Sequence, residues 1–410
     1  MREMKRSVSK KFIGFQAALE STLRKTKPLD VVEMNLDESV GFVSSEKLQA
    51  RVDSPSVDVS MKDGYAVNSL DVSGATPENP VCLRLIGISG AGQKDRFIVD
   101  PGTTLRILTG ARIPEGADSI VAEEFTTKFS KTVNIYKHAD PGRNILAKGN
   151  DISRGEIIVQ DGCFLSPGKI GLLAAGGIEK VHVYRRPRVA LIATGDEIVF
   201  PGQPLSEGNI YASNLLTLHA WCRRFGMITR LEIVPDSIDM LKDKLFQMTL
   251  SHDALITSGG AWTGDRDLME KALKALGWKK AYHHVRLGPG KAVGFGMLNG
   301  KPVFILPGGP PSNLVAFLQL ALPGLLKLSG YLEPGLPQVT AILDETLEGQ
   351  SDWTQAIFGY LQNKRREPIF RPTNSFSRLK NMADAKALLL IPEGVSMYRE
   401  GEVVAVQMLS

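Results

Sequence analysis

The sequence predicts a multidomain protein of α/β plus β type, organised around a doubly wound α/β domain. Three observations carry that reading. Apolar runs at 188–193, 253–256 and 301–306 each end in a glycine-bearing polar loop. Such runs, without alternation, suit strands buried on both faces of a parallel sheet covered by helices. Residues 55–149 then show a different texture, short alternating runs broken by Gly and Pro, which is the pattern of a small all-β insertion. The tail beyond the linker at 334–337 carries strand-like runs at 339–343, 387–391 and 403–406, a second small β domain. The expected division is 1–54 with 150–186 as a discontinuous N-terminal α+β domain, 55–149 as the inserted domain, 187–332 as the α/β domain and 333–410 as the C-terminal domain.

Taken in order, residues 10–27 read as a helix with Phe15, Leu19 and Leu23 on one face, ended by Pro28. Residues 40–51 read as a second short helix, broken at Asp53-Ser54-Pro55. The inserted domain supplies strands near 81–87, 104–108 and 132–136. A capped helix follows over 165–175, with Ser166 as N-cap, Pro167 at its first position and Gly176-Gly177 as its stop. It joins the N-terminal helices in one domain. Within the α/β domain, Leu215, Leu218, Cys222 and Phe225 share one helix face, which Gly226 closes. A strand over 228–234 and a helix over 237–250 come next, with Ile238, Leu241, Leu245 and Met248 inward. A third helix runs from Asp267 to Gly277. Strand–helix alternation at this spacing means βαβ units with right-handed crossovers.

Composition narrows the function. An apolar share of 43% and a charged share of 23% are ordinary for a soluble globular protein. No run of 18 apolar residues is present, and the basic start lacks an apolar signal core, so neither a membrane span nor export is expected. Three scattered cysteines, Cys82, Cys163 and Cys222, form neither a metal cluster nor a disulfide set and read as buried or half-buried thiols in a reducing cytosol. A net charge of +5 without a basic stripe argues against nucleic acid and is compatible with a small anionic ligand.

The chemistry is expected at the strand ends. Ligands of open α/β sheets bind outside the carboxyl ends of the strands. Glycines there let backbone N–H groups approach an anion, and Ser258-Gly259-Gly260 and Gly308-Gly309 fit that description. Carboxylates gather at the same ends: Asp196, Glu197, Asp236, Asp265 and Asp267. Each alone could be a helix cap; as a set they could hold Mg²⁺ together with substrate phosphate oxygens. Lys291 lies on a glycine loop, Gly288-Pro289-Gly290-Lys291, and is either an oxyanion contact or an exposed lysine. Upstream, Asp63-Gly64 reads as a hairpin turn, and Thr109-Gly110-Ala111-Arg112 and 142–151 read as polar turns and loops. His283-His284 reads as a strand crossing two sheet faces rather than as ligands.

The ordered set Ser60-Met61-Lys62-Asp63-Gly64-Tyr65, Thr109 to Asp118, Gly149-Asn150-Asp151, Thr194-Gly195-Asp196-Glu197, Ser258-Gly259-Gly260 to Asp267, and Leu306-Pro307-Gly308-Gly309-Pro310 resembles the MoeA family, the molybdopterin molybdenumtransferases, similar to the E domain of gephyrin. The resemblance covers about residues 10–410. It implies a MogA-like α/β domain, a barrel-like C-terminal domain and an elongated homodimer whose active clefts draw on both subunits. It implies adenylylated molybdopterin and molybdate as substrates, AMP as product and Mg²⁺ as cofactor. Catalytic roles are then expected for Asp63, Thr109, Asp151 and Glu197, with Mg²⁺ on Glu197 and Asp267. The pterin nucleotide is expected on Thr194, Gly195, Asp236, Ser258, Gly259, Gly260, Asp267, Lys291, Pro307, Gly308 and Ser312. Partners implied are a MogA-type adenylyltransferase and apo-molybdoenzymes, all cytoplasmic. The chain departs from the usual pattern in four places. Lys62 stands in place of Met in Ser-Ala-Met-Asp-Gly, and Trp262 in place of a serine in Gly-Gly-Val-Ser-Val-Gly. Gly288 replaces a lysine in Lys-Pro-Gly-Lys-Pro, and Gly309 replaces the Asn of Pro-Gly-Asn-Pro. These changes keep open a second reading, a scaffold paralogue that binds molybdopterin or a nucleotide with altered specificity or no turnover, and tungsten as the inserted metal.

Overall fold

The structure is a computed structural model that describes residues 12–259, 268–364, 367–373 and 377–410. Gly260, Trp262, Asp265 and Asp267 therefore lie outside the described residues.

The α/β domain contains β1 (Arg188–Thr194), α1 (Ser213–Arg224), β2 (Ile228–Val234), α2 (Ile238–Ser251), β3 (Ala254–Ser258), α3 (Leu268–Ala275), β4 (Lys279–His283), β5 (Gly294–Leu298), β6 (Lys301–Leu306) and α4 (Pro310–Ala316). The sheet runs in the order β2-β1-β3-β6-β5-β4. Its first four strands are parallel, β5 runs antiparallel to them, and β4, antiparallel to β5, returns to their direction. Alternate residues of β1 enter two different cores. Val189, Leu191 and Ala193 face α1 and the helix at 310–328, while Ala190 and Ile192 face α2 and α3. A strand wedged between two helical layers has no polar face, so its sequence cannot alternate. Leu191, Ile192, Ile256 and Phe304 are fully buried, each stabilising the sheet by about 1.5–3 kcal/mol.

α4 does not stop at Ala316. It widens into π turns over Phe317–Ala321 and continues as Leu322–Leu328. Pro323 has no N–H for the usual ladder, which accounts for the irregularity one turn ahead of it. The whole helix, Pro310–Leu328, is long and apolar enough to cross a membrane by length and composition, yet 83% of its most apolar 18-residue stretch is buried inside the fold.

The other units follow the expected textures. The inserted domain holds a six-stranded sheet built from Gly64–Val67, Val81–Ser89, Thr103–Ile107, Ser119–Ala122, Thr126–Phe129 and Thr132–Ile135. Residues 31–50 and 157–184 share one core around Leu36, Leu48, Leu165, Leu173 and Val183. In the tail, Thr354–Lys364, Glu367–Pro372, Gln338–Leu343, Val403–Met408 and Ala387–Ile391 pair in sequence and close, so a barrel removes the edges. The helix Phe15–Lys25 sends Ala18 into the core of the α/β domain, and Thr22 Oγ1 lies 2.8 Å from the Tyr282 hydroxyl.

Several local expectations are corrected. Residues 40–51 form no helix; Val43–Ser44 and Leu48–Gln49 are strands that pair with Lys180–Tyr184 and Ile157–Val159. Gly41 at φ +81° turns the chain out of any helical path there. Asp63-Gly64 is not a hairpin turn. A Cβ on Gly64 would meet Val121 O at 2.2 Å, so the glycine serves a close strand approach. On α2, Leu241 and Leu245 are buried, Met248 is half-buried and Ile238 is exposed at the helix start. His283 ends β4 and His284 leaves it at φ +74°, with the two rings stacked at 4.2 Å. Cys82 is exposed, against the expectation of a covered thiol.

Candidate active site

The carboxyl ends of β1, β2, β3 and β6 meet at one cleft. β1 stays buried through Thr194, whose hydroxyl donates to Asp236 Oδ1 at 2.7 Å. Asp236 N in turn donates to Asp196 Oδ1 at 3.1 Å, so the loops after β1 and β2 are tied together. A Cβ on Gly195 would lie 2.6 Å from the Glu197 carboxylate, so only glycine lets that head group fold back over the loop. Gly259, at φ +97°, likewise leaves no room for a side chain, with Thr194 O 2.9 Å from where a Cβ would be.

Two asparagines brace the glycine loops. Asn313 on α4 donates from Nδ2 to Ser258 Oγ at 3.0 Å and to Pro307 O at 2.8 Å. Asn214, in the first turn of α1, donates to Gly308 O at 2.7 Å. The resulting cleft has a volume of about 510 Å³, with Thr194, Glu197, Tyr211, Asp236, Ser258 and Gly308 among its walls. The starts of α1 and of the helix at 310–328 border it through Ser213, Asn214, Gly309 and Pro310. The start of α1 presents unpaired N–H groups, an arrangement suited to phosphate, whereas the helix at 310–328 opens on Pro310 and Pro311, which have no N–H to offer.

Glu197 and Asp236 are exposed, and neither forms an ion pair with any described residue. Hard carboxylate oxygens on a cleft wall suit Mg²⁺. The described residues contain no group of three or more His, Cys, Asp or Glu arranged to hold a metal. A Mg²⁺ here fits only as an ion shared between one or two carboxylates and substrate phosphates, which is its usual habit.

The second group of expected residues lies in the inserted domain and its joint. Asp63 Oδ1 accepts from Thr109 N and from Thr109 Oγ1, both at 2.7 Å. The backbone N–H first, then the hydroxyl, hold the Asp63 carboxyl below its ordinary range. Ser60 N donates to Ala111 O and Met61 N to Asn144 O, which clamps the 58–64 segment between the Thr109 turn and the 142–147 loop. Asp151 is exposed, and its N–H bonds Ser54 O at 3.0 Å. Beside it, Asp53 accepts from Arg154 N, which lowers the Asp53 carboxyl.

Of the residues expected at the nucleotide side, Thr194, Gly195, Glu197, Asp236, Ser258, Gly259 and Gly308 line the cleft. Pro307 is buried beneath it as the acceptor for Asn313, Ser312 lies half-buried on α4, and Lys291 is exposed on its own loop; none of these three is on the wall. Asp63, Thr109 and Asp151 are not on it either. Gly260 and Asp267 fall outside the described residues. Sequence reasoning missed Asn214, Asn313 and Tyr211. The signal for the two asparagines was there: each sits in the first turn of a helix that starts beside the cleft.

Three family models match this chain. The MoeA N-terminal region (domain I and II) covers residues 13–177, the probable molybdopterin binding domain 190–327, and the MoeA C-terminal region (domain IV) 340–409. The α/β domain and its cleft are thus of the molybdopterin-binding class. Molybdopterin molybdenumtransferase 2 of Mycobacterium tuberculosis is 33% identical over 386 residues, spanning 93% of this chain and 95% of that one. Molybdopterin molybdenumtransferase of Staphylococcus epidermidis is 30% identical over 96% of this chain and 95% of its own length. A crystal structure of the molybdopterin biosynthesis MoeA protein of Pyrococcus horikoshii superposes with a TM-score of 0.79 at 31% identity, over 98% of this chain and 100% of that one. The chain belongs to the MoeA family.

Proposed function

We propose that this chain is a transferase of molybdenum cofactor biosynthesis that inserts molybdate-derived molybdenum into adenylylated molybdopterin and releases AMP. The observation that carries this reading is the cleft at the strand ends, where two carboxylates without cation partners among the described residues face glycine backbones and the start of α1. The relatives named for this activity, matched along almost their whole length, support it.

The geometry supports the following roles. N–H groups at the start of α1 hold phosphate oxygens, and Ser258, Gly259 and Gly308 let the pterin nucleotide lie close to the backbone. Glu197 would hold Mg²⁺, a role that the family resemblance also gives to Asp267, while Asp236 is kept in place by the Thr194 hydroxyl. Bound Mg²⁺ supplies neutralisation of the phosphate charge that grows as AMP leaves. The two bonds from Thr109 favour the ionised form of Asp63, which acts as an acceptor that orients a reacting hydroxyl or water. These residues and the Glu197 cleft belong to separate domains, which favours a homodimer in which one subunit's Asp63 face completes the other's cleft. The protein works in the cytoplasm between a MogA-type adenylyltransferase, which makes its substrate, and the apo-molybdoenzymes that take its product.

The substitutions at Gly288 and Gly309 are the observations on the side of a scaffold without turnover. AMP release separates the two. Adenylylated molybdopterin, Mg²⁺ and molybdate or tungstate should give oxyanion-dependent AMP with this protein and none with Glu197→Gln. Binding of the pterin nucleotide without any AMP would overturn the transferase reading.

A further inference from the structure

The inserted domain carries a second concave site with its own electrostatics. A pocket of about 260 Å³ is lined by Lys62, Lys137, His138 and Arg143, with Glu124 as its one carboxylate. At roughly 30 Å³ per water, that is space for about nine waters, ample for one tetrahedral ion with part of its hydration shell. Among the described residues, the side chains of Lys62 and Arg143 form no hydrogen bond or ion pair, and the contact of Lys137 is the Phe125 ring, 4.3 Å from its Nζ. Glu124 has no ion-pair partner either, so it does not neutralise any one of the three cations.

The backbone beneath these charges is fixed. Gly142 and Asn144 sit at φ +81° and +58° on either side of Arg143. Asn144 Nδ2 donates to Ile120 O at 2.9 Å, and Ile120 N donates to Arg143 O at 3.0 Å. Met61 N bonds Asn144 O at 2.8 Å, which ties the Lys62 segment to the same loop. Like charges held in one concavity repel each other unless an anion joins them, and the shape concentrates their field on incoming anions. Arginine adds a planar fork suited to two oxygens of one ligand.

We propose that this pocket binds a tetrahedral oxyanion, placing it one residue from Asp63. Lys62 takes the position where the usual family pattern has Met, so the cation is a feature of this chain. The site is inferred from its own geometry; its place in the reaction rests on the transferase reading. The ligand is either molybdate itself or a phosphate group of the nucleotide substrate.

Titration of the full-length protein with molybdate, tungstate and inorganic phosphate, in the absence of pterin, tests the site. Lys62→Met, which is the family's usual residue, and Arg143→Gln should each weaken binding about tenfold, the loss expected when one charge-assisted contact of about 1.4 kcal/mol is removed. Lys128→Ala, on the exposed strand Thr126–Phe129, should leave it unchanged. Molybdate and tungstate binding without phosphate identifies the cargo oxyanion, and the KM for molybdate then rises in Lys62→Met. Binding of all three identifies a phosphate subsite, and the KM for adenylylated molybdopterin rises instead. A wild-type protein that binds none of the three, or a double variant that binds them as wild type does, overturns the proposal. The two readings fail separately. An inactive protein whose titration is lost in Lys62→Met keeps the oxyanion site and sinks the transferase. An active protein with an unaltered titration in the double variant does the reverse.

Discussion

Asn313→Ala should loosen the cleft and destabilise the α/β domain together. Asn313 is 1% exposed and joins the loop after β3 to the loop after β6 through a single amide. Truncation leaves Pro307 O and the Ser258 hydroxyl without that donor, and Ser258 is itself only 4% exposed. A buried acceptor left unpaired costs about 1–3 kcal/mol. The hydroxyl can rotate toward another partner and recover part of its share, which puts the total at about 2–3 kcal/mol. Asn313→Asp keeps the size but, when ionised, has no donor for Pro307 O, while the Ser258 hydroxyl can turn and donate to it, so at neutral pH it should cost about as much as the alanine variant. Lowering the pH returns a donor, and the aspartate variant should then recover relative to the alanine variant. In the Asn313→Ala, Ser258→Ala cycle the coupling should be about 1 kcal/mol. Urea unfolding gives the stabilities, and the KM for adenylylated molybdopterin should rise in the same variants. A loss below about 0.5 kcal/mol with unchanged KM would refute the idea that this amide sets the loop geometry.

Further outcomes follow from other contacts. Burial works against ionisation of Glu270, yet hydrogen bonds from Lys274, Lys280 and His283 outweigh it and pull its carboxyl from 4.5 to about 2. Because the folded value is depressed, its stabilisation is present above about pH 4.5 and is lost as the pH falls toward 2. Glu270→Gln should cost about 2–3 kcal/mol at pH 7, below the full value of the shift because two of its lysine partners are solvent-screened, and progressively less in acid. An equal cost at pH 7 and pH 3 would contradict that linkage. Gly259→Ala places a Cβ 2.9 Å from Thr194 O at φ +97°, and should cost about 2 kcal/mol or more while moving the β1 loop; unchanged stability and KM would show that the backbone yields there. Removal of divalent ions should abolish AMP release, and Mg²⁺ should restore it in wild type but not in Glu197→Gln. Restoration in that variant would take Glu197 out of the metal site.

The sequence was most legible where burial on both faces dictates it. β1, β3 and β6 cannot alternate, and glycine is required in the loop after β3 because the Thr194 backbone comes within contact of the missing Cβ at Gly259, while at Gly195 it is the Glu197 carboxylate that takes the space. Legibility failed where pairing is long-range. Residues 40–51 have helical spacing, but their partners are strands more than a hundred residues away, and that tertiary pairing overrode local pattern. Asp63-Gly64 reads as a turn because the glycine's true reason, Val121 O on a neighbouring strand, is not local. The asparagines of the cleft were hidden for a related reason. Asn214 and Asn313 look like ordinary residues of a helical first turn until the loops they brace are seen beside them.

The most direct test follows the metal itself. Adenylylated molybdopterin incubated with this protein, Mg²⁺ and molybdate should yield a pterin that carries molybdenum by elemental analysis, one metal for each AMP released. AMP formed at the same rate with no molybdenum in the pterin would show a hydrolase and contradict the account.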